Sequence, residues 1–410
     1  MHIVYLHQYL ATPSMPGGTR SYEMARRLVA AGHRVTMITS HQHPTDRKDW
    51  WVTDEAGIEV HWLPVPYSNK MSYARRILAF LRFAVGASRR AAAIGGDVVF
   101  ATSTPLTIAI PGMWASWRRR VPMVFEVRDM WPDVPIAMGA VRNPLLIAAA
   151  RWFEQTTYRR SAAIVALAPG MKADIVARGT DPTKVIVIPN GCDNDVFAPA
   201  LPGERGPREE FPWLAERPLI LYPGSVGRVN GVQYMVHAAA HALKIASEAR
   251  FVIIGSGGEW DRIRAMASEL GVLDVNLFMV PALPKRQLAA WVRACDILVC
   301  LIGPKSVSKD AVQNKFFDAM AAGKPTASNF EGYQSIIARD ERIGLILDPD
   351  DPTRGADELL RHLSDPAWVN HARERSLELA NGDFNRDELA RRLSTVLEDA
   401  TCPAGRRLPK

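Results

Sequence analysis

The stretch HIVYLHQYLATPSMPGGTRSYEMARRLVAAGHRVTMIT, residues 2–39, predicts the fold class of this chain. Its first five residues, HIVYL (2–6), form a short apolar run typical of a buried parallel strand, and a loop with two glycines follows. Residues 21–32 then show the apolar spacing of a helix that ends at a glycine, and HRVTMIT (33–39) is typical of a second strand. A strand, a glycine-bearing loop, a helix and a strand form one β/α unit of an open α/β sheet.

The same alternation of strands and helices continues along the chain, with one interruption. Residues 198–218 are rich in proline, glycine and charge, which is typical of a linker between domains. Before them, the predicted strands lie at 97–102, 122–127, 162–168 and 184–191; after them, the predicted strands lie in LILY, RFVII, VNLFMV, DILVCLI and PTASN. Two successive blocks of this kind predict two doubly wound, Rossmann-like α/β domains.

The composition fits this prediction and leaves the partner open. A chain of 410 residues suits two domains, and 48% hydrophobic with 23% charged residues is a globular composition. The net charge of +7 suits nucleic acid, an anionic membrane surface or phosphate-bearing small molecules. Four cysteines without a CxxC pair predict free thiols in a reducing cytoplasm. The first residues lack the pattern of a signal peptide, and no window approaches ~18 unbroken apolar residues, so no membrane-spanning helix is predicted.

Three glycine-bearing turns follow predicted strands: Gly17-Gly18, residues 224–231 and residues 255–258. Ligands of open α/β sheets bind at the carboxyl ends of the strands, where glycines allow close approach of a phosphate and helix amino termini attract it. None of the three matches G-x-G-x-x-G or the Walker A pattern, and a tight turn explains each one alone. Three such turns in two predicted domains favour a bound nucleotide.

The segment KDAVQNKFFDAMAAGKP (309–325) carries an unusual polar set. We expect Asp310 in the loop before a buried helix and Asp318 one or two turns inside it. A carboxylate on a buried helix needs a partner or a ligand, and a vicinal diol of a sugar offers two O–H donors. Asn314 and Lys315 at the helix start suit phosphate oxygens. The alternative is a helix cap with an Asp318–Lys315 surface pair.

Together these segments resemble a family 4 retaining glycosyltransferase of the GT-B fold, over nearly the whole chain. GGTRSYEMARRLVAAGHRVTMIT resembles the family's amino-terminal glycine loop and first helix, and VIVIPNGCDNDVFAP is similar to the segment that leads into its linker. DAVQNKFFDAMAAGKPTASN is similar to the family's paired-acid signature, Glu-x7-Glu followed by Ala-x-Gly-x-Pro, with aspartate at both acid positions. Within this family, the sequence most resembles the bacterial L-fucosamine (N-acetylfucosamine) transferases of O-antigen and capsule assembly.

The resemblance implies roles for the residues at matching positions. The implied donor-binding residues are Gly17, Gly18, Gly224, Ser225, Gly227, Asn230, Asn314 and Asp318. Asp318 would hold the ribose hydroxyls, and Asp310 would face the donor sugar or the reaction centre. Arg20 would lie on the acceptor side.

Two departures from the family's pattern redirect the expected chemistry. In the loop GSVGRVNG (224–231), Ser225 and Asn230 stand where many relatives have an arginine and a lysine for the diphosphate. We therefore expect Arg228 and Lys315 to supply the positive charge for the diphosphate. Together with Asp310 they form the predicted catalytic set. The alternative is that Arg228 is an ordinary surface arginine.

The second departure is Arg128-Asp129, where relatives often carry His-Asp. Retention in the family is usually explained by front-face attack, in which the leaving phosphate takes the acceptor proton, so the missing histidine is compatible with transfer. We expect Arg128 to bind an acceptor phosphate, with Asp129 beside it.

The acidic run DPDD (348–351) precedes a helical pattern and predicts a turn with a helix cap rather than a metal site. No metal or other cofactor is expected.

Two basic segments suggest a membrane surface. Residues 72–95 mix leucine, phenylalanine and isoleucine with five arginines at helical spacing, and residues 113–123 add tryptophans beside three more. Arginines and aromatics on an amphipathic helix suit an anionic bilayer surface. The alternative is a core-facing helix with a basic polar face.

We therefore expect a GT-B enzyme whose two domains face one another across a cleft. Residues 1–197 form the acceptor domain, with a helix at about 384–400 crossing back to it, and residues 198–383 form the nucleotide-sugar domain. The expected donor is a UDP-sugar, and N-acetylated sugars are among the candidates for it. The expected acceptor is a polyprenyl-diphosphate-linked saccharide at the inner face of the cytoplasmic membrane. The alternatives are a soluble acceptor, a UDP-sugar epimerase, or a non-catalytic nucleotide-sugar-binding protein. Nucleic-acid binding is not expected, because no known recognition motif accompanies the basic residues.

Overall fold

The chain folds into two compact units, each built around one sheet. The structure, a computed structural model, describes residues 1–67, 71–139, 141–198, 205–245, 247–303 and 309–402. Unit 1 comprises Met1–Thr12, Thr19–Pro189 and the chain from Asp387 onward; unit 2 comprises Pro13–Gly18 and Asn190–Arg386. Each unit is a Rossmann-like α/β domain, which confirms the predicted fold class. The predicted linker at 198–218 lies partly outside the described residues.

Among the described residues of unit 1, eight strands form one sheet in the order β3-β4-β2-β1-β5-β6-β7-β8. They are β1 (His2–Leu6), β2 (Arg34–His41), β3 (Trp51–Glu55), β4 (Ile58–Pro64), β5 (Val98–Thr102), β6 (Met123–Val127), β7 (Ala163–Ala166) and β8 (Val185–Val187). The helices are α1 (Arg20–Ala30), α2 (Tyr73–Ile94), α3 (Ala109–Arg119), α4 (Asp133–Ala137), α5 (Pro144–Arg160) and α6 (Pro169–Ala177). All strand pairs are parallel except β3 with β4.

Crossover handedness distributes the helices of unit 1 over the two faces of its sheet. The connection from β1 through α1 to β2 runs toward the β3 edge of the sheet. The connections through α2, α3 and α5 run toward the β8 edge. Because such crossovers are right-handed, α2, α3 and α5 cover one face and α1 covers the other. In accordance with this, α2 packs on α3, and α3 contacts α5.

Unit 2 has a sheet of six parallel strands in the described residues, in the order β11-β10-β9-β12-β13-β14. They are β9 (Leu219–Ser225), β10 (Arg250–Ser256), β11 (Leu277–Pro281), β12 (Ile297–Cys300), β13 (Thr326–Ser328) and β14 (Gly344–Ile346). The helices are α7 (Pro207–Glu210), α8 (Gln233–Lys244), α9 (Trp260–Glu269), α10 (Lys285–Ala294), α11 (Asn314–Ala321), α12 (Tyr333–Asp340), α13 (Pro352–Leu363) and α14 (Pro366–Asn381). The final helix, α15 (Arg386–Thr401), belongs to unit 1 from Asp387 onward.

Alternate residues of the central strand β9 point into two separate apolar cores. Leu219 and Leu221 pack with the side chains of α10 and α11, whereas Ile220 and Tyr222 pack with those of α8 and α13. This period of two is what a strand covered by helices on both faces requires. It fixes α11, and hence the polar set at its start, against the carboxyl end of β9.

The carboxyl ends of β9 and β10 carry the glycine turns, and these touch each other. Gly224 pairs with Gly255 across the two strands. A side chain at Gly255 would overlap the carbonyl oxygen of Gly224, and Gly224 itself has a φ of +150°, which disfavours other residues. The backbone of the two turns therefore forms one close-packed edge.

Two further properties bear on function. Among the helices of the described residues, none is both long and apolar enough to cross a bilayer; α2, with 22 residues, carries five arginines. The cysteines are unpaired, as predicted; Cys192, Cys295 and Cys300 are buried and Cys402 is exposed.

Candidate functional site

Lys315 is the most unusual residue at the carboxyl edge of unit 2. It is the second residue of α11, and its Nζ lies 3.7 Å from the ring centroid of Tyr222. A Cβ at Gly224 would stand 2.8 Å from that Nζ, so the amine lies against the turn at the end of β9. The Nζ is shielded from solvent and has no hydrogen-bond partner among the described residues. An ammonium in this position is open to an anionic ligand.

Burial lowers the pKa of Lys315 because it disfavours the charged amine. The residue as a whole is half-buried, but its amine nitrogen is not exposed. Desolvation lowers the pKa of Lys315 to about 8, against the smaller opposing influence of Cys300 and Asp318. The amine is therefore charged at neutral pH but poorly stabilised, and a phosphate beside it would be strongly attracted.

Asn314, the first residue of α11, extends this polar group. Its Oδ1 is buried and has no partner among the described residues, and a Cβ at Gly18 would stand 2.9 Å from its Nδ2. By its contacts the segment Pro13–Gly18 belongs to unit 2. The structure thus brings Gly18, Asn314, Lys315 and Gly224 together at the amino terminus of α11, where backbone N–H groups also favour an anion.

Asp318 lies one turn further along α11, and its partner is a residue that the sequence did not indicate. Lys285 Nζ donates to Asp318 Oδ1 at 2.6 Å, and both side chains are buried. The alternative interpretation, in which Asp318 pairs with Lys315 on the surface, is therefore wrong. Burial raises the pKa of Asp318, although Lys285 acts to lower it. A lysine in the first turn of a helix opposes the helix dipole, and this feature of α10 is a signal that could have drawn attention to Lys285.

A second buried ion pair neighbours the first. Arg386 Nε donates to Asp193 Oδ1 at 3.0 Å, and the charges of both residues influence the pKa of Asp318. Two carboxylates and two cations thus balance one another in the interior of unit 2. Such a balance holds Asp318 in one place without leaving an unpaired buried charge.

The loop after β9 is more exposed to solvent than the buried ion pairs around Asp318. The Arg228 side chain is 84% exposed, and its Nε lies 3.9 Å from Glu259. It begins a short 3₁₀ turn that ends at Asn230, and a Cβ at Gly227 would lie 3.3 Å from Asn230 Oδ1. Ser225 is the exposed last residue of β9. None of these contacts demands an arginine at 228, so its catalytic role stays a prediction.

The remaining predicted residues of the donor side have local structural settings. Asp310 lies in the turn before α11 and is half-buried, at the position expected for it. Gly17 has a φ of +134°, a conformation that suits glycine. The roles that the resemblance implies for both residues stay predictions.

In unit 1, Arg20 lies in the core at the start of α1. It is 1% exposed, its guanidinium pairs with Glu126 at 2.8 Å, and it donates to the carbonyl oxygens of Ile188 and Pro189. Burial acts to raise the pKa of Glu126, but the charge and hydrogen bonds of Arg20 hold it below the ordinary value. These contacts give Arg20 a structural role, and its expected place beside the acceptor stays a prediction.

Arg128 and Asp129 follow β6 at the carboxyl edge of unit 1. Arg128 donates through Nη1 to His7 Nε2 at 3.1 Å, and Thr104 Oγ1 donates to Asp129 Oδ2 at 2.8 Å. Burial, and then the charge of Arg128, hold the pKa of His7 well below its ordinary value. His7 is therefore neutral, and because Nε2 accepts from Arg128, the proton lies on Nδ1.

His7 is a residue that the sequence did not indicate. Its Nδ1 has no partner among the described residues, which leaves one buried donor at the end of β1. Its position directly after HIVYL, at the carboxyl end of a central strand, is the signal that could have identified it.

No group of three or more histidine, cysteine, aspartate or glutamate side chains that could hold a metal ion occurs in the described part of the chain. The acidic run at 348–351 is a turn and a helix cap, as predicted. Asp348 Oδ1 accepts from the backbone of Asp350 and Asp351, and Asp351 Oδ1 accepts from Thr353 and Arg354.

Known proteins resemble this chain in both sequence and fold. The family model of the glycosyl transferase 4-like domain matches residues 17–191, and that of the glycosyl transferases group 1 matches residues 217–365. A D-inositol 3-phosphate glycosyltransferase from Xylanimonas cellulosilytica is 28% identical, over 94% of this chain and 92% of that protein.

Two solved structures share the fold over almost the whole chain. A sucrose-phosphate synthase from Thermosynechococcus elongatus has a TM-score of 0.76 and 19% identity, over 97% of this chain and 98% of that one. Anabaena HepE in complex with UDP-glucose has a TM-score of 0.70 and 15% identity, over 97% of this chain and 100% of that one.

Proposed function

The chain belongs to the GT4-type glycosyltransferases of the GT-B fold, and we propose that it transfers a sugar from a UDP-sugar to a saccharide carried on a polyprenyl diphosphate, with retention at the anomeric carbon. The observation that carries the donor half of this proposal is the buried ammonium of Lys315 beside the turn at Gly224, which has no hydrogen-bond partner in the described parts of the chain. A diphosphate would supply the missing counter-charge. HepE, which shares the fold, was solved with UDP-glucose, and this supports a UDP-sugar as the donor.

In the proposed reaction the bond from the anomeric carbon to the diphosphate oxygen breaks as an acceptor hydroxyl attacks on the same face. The acceptor proton passes to the departing phosphate oxygen, and the products are UDP and the glycosylated acceptor. Lys315 and the amino terminus of α11 would stabilise the charge that grows on the leaving diphosphate, with Arg228 as an additional cation. No side chain has to remove a proton, which is compatible with His7, because its unprotonated nitrogen Nε2 already accepts from Arg128.

The ribose would bind at Asp318. Lys285 occupies Oδ1, and a carboxylate has further acceptor capacity for two hydroxyl groups. Lys285 thereby holds the carboxylate in place, and it would act as a positioning residue for the donor.

The acceptor would be recognised in unit 1. Arg128 is a fixed cation next to the Nδ1–H of His7, and together they offer donors to an acceptor phosphate. A phosphate of this kind occurs in a polyprenyl diphosphate and also in a soluble sugar or polyol phosphate. The second candidate function is transfer to such a soluble acceptor, and the inositol 3-phosphate specificity in the name of the Xylanimonas relative favours it.

The sequence resemblance to L-fucosamine transferases makes an N-acetylated donor the first to test. The purified protein would be incubated with a panel of UDP-sugars, with a polyprenyl-diphosphate saccharide in detergent micelles in one series and inositol 3-phosphate in another. UDP release and the anomeric coupling constant of the product would be measured. Lys315→Met should lower the rate of UDP release by about 100-fold or more, and the matched surface variant Lys244→Met should leave it unchanged.

Each alternative function predicts a different result. Transfer to inositol 3-phosphate alone would establish the soluble-acceptor enzyme. An epimeric UDP-sugar, formed without glycosylated product and without net release of UDP, would indicate an epimerase. Binding of the UDP-sugar with neither UDP release nor an epimeric product, whichever acceptor is present, would indicate a non-catalytic binding protein and refute the proposal.

A further inference from the structure

Large apolar side chains are exposed on three neighbouring helices of unit 1. Those of α2, α3 and α5 are Ile77, Leu78, Leu81, Val85, Trp114, Trp117, Leu145, Leu146 and Trp152. Leu145 is 79% exposed and Trp117 is 65% exposed, which is unusual for side chains of this size. We call this set, with the exposed arginines of the same helices, the apolar–arginine face.

The exposed residues of α2 lie on one side of the helix. Leu78, Leu81 and Val85 follow one another at intervals of three and four residues, and Phe83 and Ala87 on the other side are buried. Arg75, Arg82 and Arg89 are exposed at intervals of seven residues, beside the leucines. The helix therefore presents an apolar face to the core and a mixed apolar and basic face outward, whereas a helix on a water-soluble surface presents polar residues there.

The other two helices continue this face. The rings of Trp114 and Trp117 on α3 are 5.3 Å apart, and Trp117 lines a surface pocket together with Arg160 of α5. The first half of α5, from Pro144 to Ala150, is apolar and largely exposed. Contiguous exposed apolar surface of this kind marks an interaction site.

Charge distinguishes the kind of partner. The three helices contain ten arginines and one acidic residue, Glu154, which is buried and bonded to Arg178. Their net charge of +9 exceeds the +7 of the whole chain. Within the described residues, no carboxylate pairs with the exposed arginines Arg75, Arg82, Arg89, Arg118, Arg120 and Arg160. The partner must therefore be apolar and anionic over an extended area.

We infer that the apolar–arginine face docks unit 1 on the surface of an anionic phospholipid bilayer. Tryptophan and leucine side chains enter the boundary between head groups and acyl chains, and the arginines bind lipid phosphates. Helices of a parallel α/β sheet run antiparallel to its strands, so the first turns of α2 and α5 lie at the carboxyl edge of unit 1, where Arg128 stands. A lipid-carried acceptor would reach that edge from the bilayer, although docking itself does not depend on the proposed reaction.

Vesicle co-sedimentation tests this inference with the full chain. Binding is measured to vesicles of phosphatidylcholine alone and of phosphatidylcholine mixed with phosphatidylglycerol, at low and high salt. We expect binding to the anionic vesicles and its loss at high salt. Trp117→Ser with Trp152→Ser, and separately Arg82→Glu with Arg89→Glu, should each weaken binding at least about tenfold.

Matched variants on unit 2 serve as controls. Ile245→Ser with Leu270→Ser changes exposed apolar residues, and Arg264→Glu with Arg361→Glu changes exposed arginines; both double variants should bind vesicles like the unaltered protein. Thermal unfolding of every variant excludes loss of fold as the cause. UDP release with an acceptor in detergent micelles is measured in parallel, so that failure of docking and failure of the proposed reaction are separate results.

Two results would overturn the inference. One is absence of binding to anionic vesicles at low salt, or equal loss in the face and control variants. The other is a dimer in sedimentation velocity that becomes a monomer in the face variants without any vesicle binding, because the face would then be covered by a second copy of the chain.

Discussion

Replacing Lys315 by methionine should stabilise the empty protein and remove its function. A pKa of about 8 instead of 10.5 means that burial disfavours the charged amine by about 3 kcal/mol. The contact with the Tyr222 ring offsets about 1–2 kcal/mol of this. Methionine has a similar length and no charge to desolvate. We therefore expect the free energy of unfolding at pH 7 to rise by about 1–3 kcal/mol.

The pH dependence of this difference has a definite sign. Because the folded-state pKa of Lys315 lies below its unfolded value, the unfolded chain binds more protons between about pH 8 and 10.5. The unaltered protein therefore gains stability relative to Lys315→Met as pH rises through that window. Equilibrium urea unfolding at pH 7 and pH 9.5, analysed for the transition that contains unit 2, measures both the difference and its decrease.

The functional half of the same prediction uses the same variant. Loss of the cation should lower kcat by about 100- to 1000-fold and remove the thermal stabilisation that UDP gives the unaltered protein. Lys244→Met, which alters an exposed lysine on α8, should change the free energy of unfolding by less than about 0.5 kcal/mol and leave kcat unchanged. A Lys315→Met protein that is less stable and fully active would show that the lysine is structural, and the reasoning would be refuted.

Three further substitutions test the other buried and exposed charges. Asp318→Asn leaves Lys285 as an unpaired buried cation, so urea unfolding should show a loss of about 3–5 kcal/mol, part of which the double variant Asp318→Leu with Lys285→Met recovers. Calorimetry should also show weaker UDP binding by Asp318→Asn, and unchanged binding would place the ribose elsewhere. Arg228→Ala should leave stability within about 0.5 kcal/mol but lower turnover at least about tenfold; unchanged turnover removes Arg228 from the mechanism. Arg20→Met should destabilise unit 1 by about 3–5 kcal/mol because Glu126 loses its partner, and a loss of transfer at unchanged stability would instead support a contact with the acceptor.

The sequence predicted most of the architecture because the central strands are continuous apolar runs bounded by glycine. The predicted strands 2–6 and 122–127 agree with β1 and β6 to within about one residue. The hairpin β3–β4 was missed because β3 is an edge strand in which only alternate residues are shielded, so WVTDE lacks an apolar run. β14 was missed because it begins at a glycine, which interrupts the apolar run IGLIL at 343–347.

The site was predictable where its members are close in sequence. Asn314 and Lys315 lie together at the start of one helix, and their proximity to Asp318 follows from helix geometry. Lys285 and His7 were missed because their partners, Asp318 and Arg128, are 33 and 121 residues away. Pairings over such distances depend on which strands become neighbours, and composition and spacing do not contain that information.

The contact between Gly224 and Gly255 limits how this enzyme can be re-engineered. Any side chain at 255 would collide with the neighbouring turn, so a single replacement there would shift the backbone on which the Lys315 amine rests. Both turns therefore have to be redesigned together or left alone. Variant libraries intended to broaden donor choice should therefore keep residues 224 and 255 constant.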